Sequence, residues 1–282
     1  MANTKLDMGK AWTQATALIG ANKDTISAIA GLFLFLPSLA ATLLLPEAST
    51  TVPVSGQSSD PAVAMQQALE GIRALYLENW PLLLAVTVAG FVGSLSLLAL
   101  LTDRGNPTVG EALGKGIRAI PSYIAAQILS ALAAGLVIGL PLGLLSALAP
   151  PAVVAFAALA LVVLAIYLVI KFSLIAPVIA IDEVRNPFTA IGRSWQLTKG
   201  NSARILVFMF LLFVVVVIIG ALVQGILTLI LSAVGGEVAR IGTGVVGALV
   251  NTVMSVILFV VLAAIHRQLG GATPERLAET FE

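Results

Sequence analysis

Six stretches of this chain are each long and apolar enough to cross a lipid bilayer, and that leaves few folds open to it. A helix rises 1.5 Å per residue, so about 20 apolar residues cover the hydrocarbon core. The stretches run over roughly 25–45, 81–102, 121–148, 151–181, 203–234 and 240–265. Composition agrees, since 59% of the 282 residues are hydrophobic and 10% charged. A soluble domain carries about a quarter charged residues because its surface faces water. The expected fold class is an all-α integral membrane protein with about six transmembrane helices, forming one polytopic domain over 1–282.

The first apolar stretch begins near Thr25 and is longer than the roughly 7–15 residues of a signal-peptide core, so it reads as a retained helix. Pro150-Pro151 separates the third and fourth stretches and predicts a tight hairpin there. Pro37 and Pro141 lie within spans and are the expected kink points. Basic residues stay on the cytoplasmic side of a membrane. With the N-terminus inside, thirteen of the fifteen Lys and Arg residues fall in inner segments, and only Arg73 and Arg240 fall outside. This predicts a multi-pass protein with both termini cytoplasmic.

The outer insertion, 46–80, opens with a Pro/Ser/Thr/Gly-rich run that reads as loop. Ala64, Leu69, Ile72, Leu75 and Tyr76 then recur at helical spacing, predicting a short amphipathic helix on the outer leaflet.

Three inner segments share a pattern of glycine, basic residue, small residue and large apolar residue. These are Gly9-Lys10-Ala11-Trp12, Gly114-Lys115-Gly116-Ile117 and Gly192-Arg193-Ser194-Trp195. Each precedes a pair of spans. The physical reading is an elbow helix in the inner interface, over about 5–20, 108–120 and 187–200. Its apolar residue, Trp12 or Trp195 for example, dips toward the acyl chains while Lys10, Lys115 or Arg193 reaches the headgroups. Thr108 and Glu111 have capping-box spacing. Asp103 and Asp182 precede Asn-Pro pairs and are candidates to close those turns. The fold becomes three repeats of an elbow plus a transmembrane hairpin.

At the third elbow the run from Lys171 through Pro177, followed by Ala190 to Gly200 (AIGRSWQLTKG), resembles a bacterial membrane family. It is similar to the membrane domain attached to some glycerophosphoryl diester phosphodiesterases and to stand-alone YciC-type inner-membrane proteins. The resemblance implies a multi-span protein of the bacterial inner membrane and transfers no catalysis. In the fused enzymes hydrolysis belongs to a separate soluble barrel.

Catalytic candidates are scarce. There is no cysteine, which removes disulfides, thiolate metal sites and a cysteine nucleophile. His266 is the single histidine, too few for a convergent metal site. The acids close to it in sequence lie in the terminal tail, and the adjacent Asp182 and Glu183 read as a solvated turn. No phosphate-binding glycine loop is present. The expectation is no enzyme, no cofactor, no metal and, with a net charge of +1, no nucleic-acid partner. Gly135, Gly139 and Gly143, spaced four apart, read as a helix-packing face, and Gly242, Gly244 and Gly247 as a less regular one. Gln127, Lys171, Gln224 and Asn251 are polar groups at membrane depth on four different spans, either helix-to-helix glue or the lining of one site.

Two functions follow as expectations. The first is a non-enzymatic membrane protein acting through lipids, a membrane-protein partner or a second copy of itself. The second is a transporter or channel component for a lipid-like or small amphiphilic solute, which requires the four polar residues to line a cavity.

Overall fold

The computed structural model describes residues 5–45, 61–102 and 108–270. Most of the predicted outer loop, together with Asp103 and the Asn106-Pro107 pair, lies outside them. The described residues form eight helical elements: α1 (Met8–Leu44), α2 (Pro61–Leu100), α3 (Val109–Leu148), α4 (Pro151–Phe172), α5 (Ile175–Ala180), α6 (Pro187–Thr198), α7 (Ser202–Val234) and α8 (Gly236–Gly270). Six helices are long and apolar enough to cross a membrane. The protein is a multi-pass, all-α membrane protein.

The helices pair as three hairpins, α1–α2, α3–α4 and α7–α8. The second hairpin turns at Ala149-Pro150 and the third at Gly235-Gly236, whose φ values of 73° and 62° suit glycine. Consecutive spans touch, and α8 packs back along α1, so the six form a closed ring in chain order. The core lies at one end of that ring. The last turns of α2 (Leu95 to Leu100, with Leu101 just beyond) and of α8 (Val260 to His266) are buried there, against Leu174, Ile175, Val178 and Ile179 around the short helix α5. Toward the hairpin tips the side chains face outward, as expected for surface that meets lipid. The buried end is the one that carries the elbows, and it is called the elbow end below.

Two of the three elbows are not separate helices. The first continues into its span as α1, bent at Asn22 (φ −123°, ψ 20°), and the second continues through Pro121 as α3. Only the third, α6, stands apart, because Gly200 at φ 79° turns the chain before α7. The expected short outer helix likewise runs on into the second span as one helix, bent at Asn79 ahead of Pro81.

A further repeat emerges in the spans. Gly31–Phe35 and Gly135–Gly139 are single π-helical turns, each placed just before the proline expected to kink the span, Pro37 or Pro141. Proline lacks an N–H and its ring collides with the carbonyl four residues back, and the wider π turn removes both conflicts. Gly-Leu-x-x-x-Leu-Pro occurs at both places, a longer match than the elbow motif, and it strengthens the case that the first two units are repeats.

Candidate functional site

The elbow motif has one structural meaning in all three copies. The small residue is buried: Ala11, Gly116 and Ser194. It continues a helical seam of small buried residues, with Ala15 in the first elbow, Ala112 and Ala119 in the second, and Ala190 and Thr198 in the third. The following large residue points away from the protein, with Trp12 46%, Ile117 53% and Trp195 38% exposed. Each seam docks on the last turns of the preceding return span. A Cβ on Gly116 would lie 2.7 Å from the Ser96 backbone nitrogen of α2, so only glycine fits. Ser194 Oγ donates to the Lys171 carbonyl of α4 at 2.7 Å. The first elbow docks on α8, where the Asp7 N–H donates to Gln268 Oε1 at 2.9 Å and Gln268 Nε2 donates to the Asp7 carbonyl at 3.1 Å. The elbows therefore close a ring around the core, head to tail.

Local chemistry sets each elbow's start. Asp7 accepts from the Lys10 N–H. Thr108 and Glu111 form the predicted capping box. Asn186, rather than an aspartate, caps α6 by accepting from Phe188 and Thr189. These bonds satisfy N–H groups that a helix leaves open.

Asp182 has a different role from the solvated turn read in the sequence. Its side chain is 13% exposed and its Oδ2 accepts from Arg193 Nε at 2.7 Å and from His266 Nε2 at 3.1 Å. Burial pushes its carboxyl up, but His266 and then Arg193 outweigh that and hold it below the ordinary carboxylate value. Glu183, in the left-handed region at φ 57°, meets Lys115 Nζ at 2.9 Å. Arg185 donates to the Arg118 carbonyl at 3.2 Å, and Arg267 Nη2 to the Leu101 carbonyl at 2.7 Å. The basic residues of the second and third elbows thus hold the loop after α5, while Lys10 is exposed and makes no ion pair among the described residues.

A histidine–aspartate pair invites comparison with nucleophilic catalysis. There the second ring nitrogen must reach a hydroxyl or thiol. Here His266 Nδ1 is buried and finds no hydrogen-bond partner among the described residues. The pair joins α8 to the loop after α5 and presents no reacting atom to an opening.

Residues 147–269 match the family model described as the membrane domain of glycerophosphoryl diester phosphodiesterase. That stretch, under half of the chain, is similar to this membrane-domain family. No curated protein and no solved structure matches the chain. The family segment contains α4 to α8 and, within it, Lys171, Asp182, Arg193 and His266. Pairs that tie it to the first half run through Leu6, Asp7, Ser38, Leu101, Lys115 and Arg118, outside the matched residues.

The four polar residues at membrane depth do not converge. Gln127 Nε2 donates to its own helix neighbour, the Tyr123 hydroxyl, at 3.0 Å. Lys171, inside the family segment, is buried with its ammonium 5.1 Å from the Trp195 ring centre and 5.4 Å from that of Tyr167. Gln224 lines an open cleft of about 800 Å³ near the hairpin tips, with Arg240 and Gly244. Asn251 Nδ2 donates to Ser38 Oγ at 3.4 Å and borders a second cleft, of about 520 Å³.

The glycine face needs correction. A Cβ at Gly135, Gly139 or Gly143 would meet nothing within 4 Å, so within the chain these residues admit no neighbouring helix. Close packing falls instead to Gly242, where a Cβ would lie 2.8 Å from Leu231 Cδ2, and to Gly244 and Gly247 at 3.2 and 3.3 Å from their neighbours.

Proposed function

We propose that this protein is a non-enzymatic component of a bacterial cytoplasmic membrane that acts through its lipids, with the elbow end on the cytoplasmic side. The observation that carries the reading is the threefold pattern of exposure. Each elbow buries its small residue against the protein and turns a large apolar one outward beside a basic residue. A protein surface in water gains nothing from three such residues at one level, whereas an interface accepts them, with tryptophan at headgroup depth. The concentration of Lys and Arg at this end supports the orientation. Support for a non-catalytic role comes from the buried, unopposed Nδ1 of His266, and the scatter of the four polar residues weakens a transport reading.

Native mass spectrometry of protein released gently from detergent tests this. Retained phospholipid is expected, and it should fall when Trp12 and Ile117 are changed together to serine. A bare protein across a range of added lipid would overturn the reading.

A further inference from the structure

The cleft bordered by Asn251 lies between α4, α7 and α8 and is walled by apolar side chains, among them Ile166, Leu206, Phe210 and Met254, with Asn251 and Ser255 as its polar residues. It follows α7 from Leu206 to Val216, about 15 Å along the helix axis. Only 11% of the most apolar window of each of the fourth and fifth spans is buried within the chain, so the cleft opens sideways, where a membrane helix meets lipid. Its volume of about 520 Å³ is in the range of ligand sites.

Charge gathers at the elbow end of this cleft. Lys171 lies on α4 about 8 Å past Ile166 along the axis, and Lys199 precedes α7. Lys171 is 2% exposed, and among the described residues its ammonium makes one hydrogen bond, to the Trp195 carbonyl at 3.5 Å. Among the described residues neither lysine has a carboxylate within ion-pairing distance, and Lys199 is near enough to repel Lys171. At the same end Lys115 and Arg193 each have an acid, and Lys10 has none among the described residues but is exposed; Lys171 differs in being buried. A buried cation without a counter-charge is costly, and the two aromatic faces offset only part of that.

We propose that this is a site for one anionic phospholipid of the elbow-side leaflet, its acyl chain in the cleft and its phosphate at Lys199, with Lys171 lending charge from behind Trp195. This rests on the lipid reading above and adds a place and a headgroup class to it. A free anion would answer the charge and leave the cleft empty. A neutral lipid would fill the cleft and leave the charge.

The test is native mass spectrometry of delipidated full-length protein titrated separately with phosphatidylglycerol and phosphatidylcholine. The wild type is expected to retain one phosphatidylglycerol at least about tenfold more tightly than phosphatidylcholine. Lys199→Gln, a change at an exposed position that leaves the packing intact, should cut that preference about fivefold, and Lys171→Met should do the same. Ser255→Phe, which fills the cleft, should weaken both lipids. Unchanged preference in folded Lys199→Gln and Lys171→Met proteins overturns the site while leaving the general lipid reading standing. Equal protection against thermal unfolding by inorganic phosphate alone also overturns it. No retained lipid on the wild type overturns both.

Discussion

His266 Nε2 lies 3.1 Å from Asp182 Oδ2 although 84 residues separate the two in the chain, and the same oxygen accepts from Arg193 of the third elbow. One carboxylate thereby fixes the last span and an elbow to the loop after α5. Replacing it by asparagine removes the charge and leaves the half-buried Arg193 without its ionic partner. Complete loss of a buried pair costs about 3–5 kcal/mol. Arg193 is one-third exposed, and screening reduces that to about 2 kcal/mol. Unfolding of the Asp182→Asn protein in detergent should show this loss, and the double variant with Arg193→Gln should lose less than the two single changes added together.

The same carboxylate gives a pH dependence with a definite sign. Burial raises the Asp182 pKa, and His266 and Arg193 lower it by more, so the folded value is below the unfolded one. A group of this kind adds stability at pH above its unfolded pKa, about 4 for aspartate, and that stability is lost as pH falls through the folded value. The unfolding midpoint of the wild type should therefore drop on acidification below about pH 4. Asp182→Asn should flatten that limb.

Glycines at two places should respond in opposite ways. A Cβ at Gly116 runs into the Ser96 backbone at 2.7 Å, so Gly116→Ala should destabilise by about 1–3 kcal/mol. Gly135, Gly139 and Gly143 have open space, so alanine there should be neutral or slightly stabilising through helix propensity. Thermal unfolding of both sets in one detergent distinguishes them. A fall for the triple alanine variant would mean that this face meets a second copy.

Ser194 is fully buried and donates to the Lys171 carbonyl at 2.7 Å. Ser194→Ala should cost about 1 kcal/mol and loosen the third elbow from α4. Hydrogen exchange should report the loosening as faster exchange over α6 with α1 unchanged.

The spans were legible because hydrophobic length is a one-dimensional property, and the elbows because a four-residue motif recurs. Their capping at Thr108 and Glu111 was legible for the same reason. The paired Gly-Leu-x-x-x-Leu-Pro segments were equally present in the sequence and are the signal that could have located the π turns. Asp182 was not legible as a partner of His266, because nothing local marks two residues that meet only when the last span returns to the elbow end. The glycine spacing in α3 misled because it marks a shared helix face and does not say whether another helix of the chain lies against that face. The scatter of Gln127, Lys171, Gln224 and Asn251 depended on helix rotation, which apolar length leaves undetermined.

The placement of the elbows in the membrane interface is the claim on which the rest depends, and the protein supplies its own probes. It has three tryptophans, of which Trp12 and Trp195 lie on elbows. In a Trp80→Phe protein reconstituted into vesicles of lipids brominated at defined depths, the remaining fluorescence reports the elbows alone. Quenching that is strongest for bromine near the headgroup end of the acyl chain is the predicted result. No quenching from any depth, or quenching strongest at the chain ends, would contradict it.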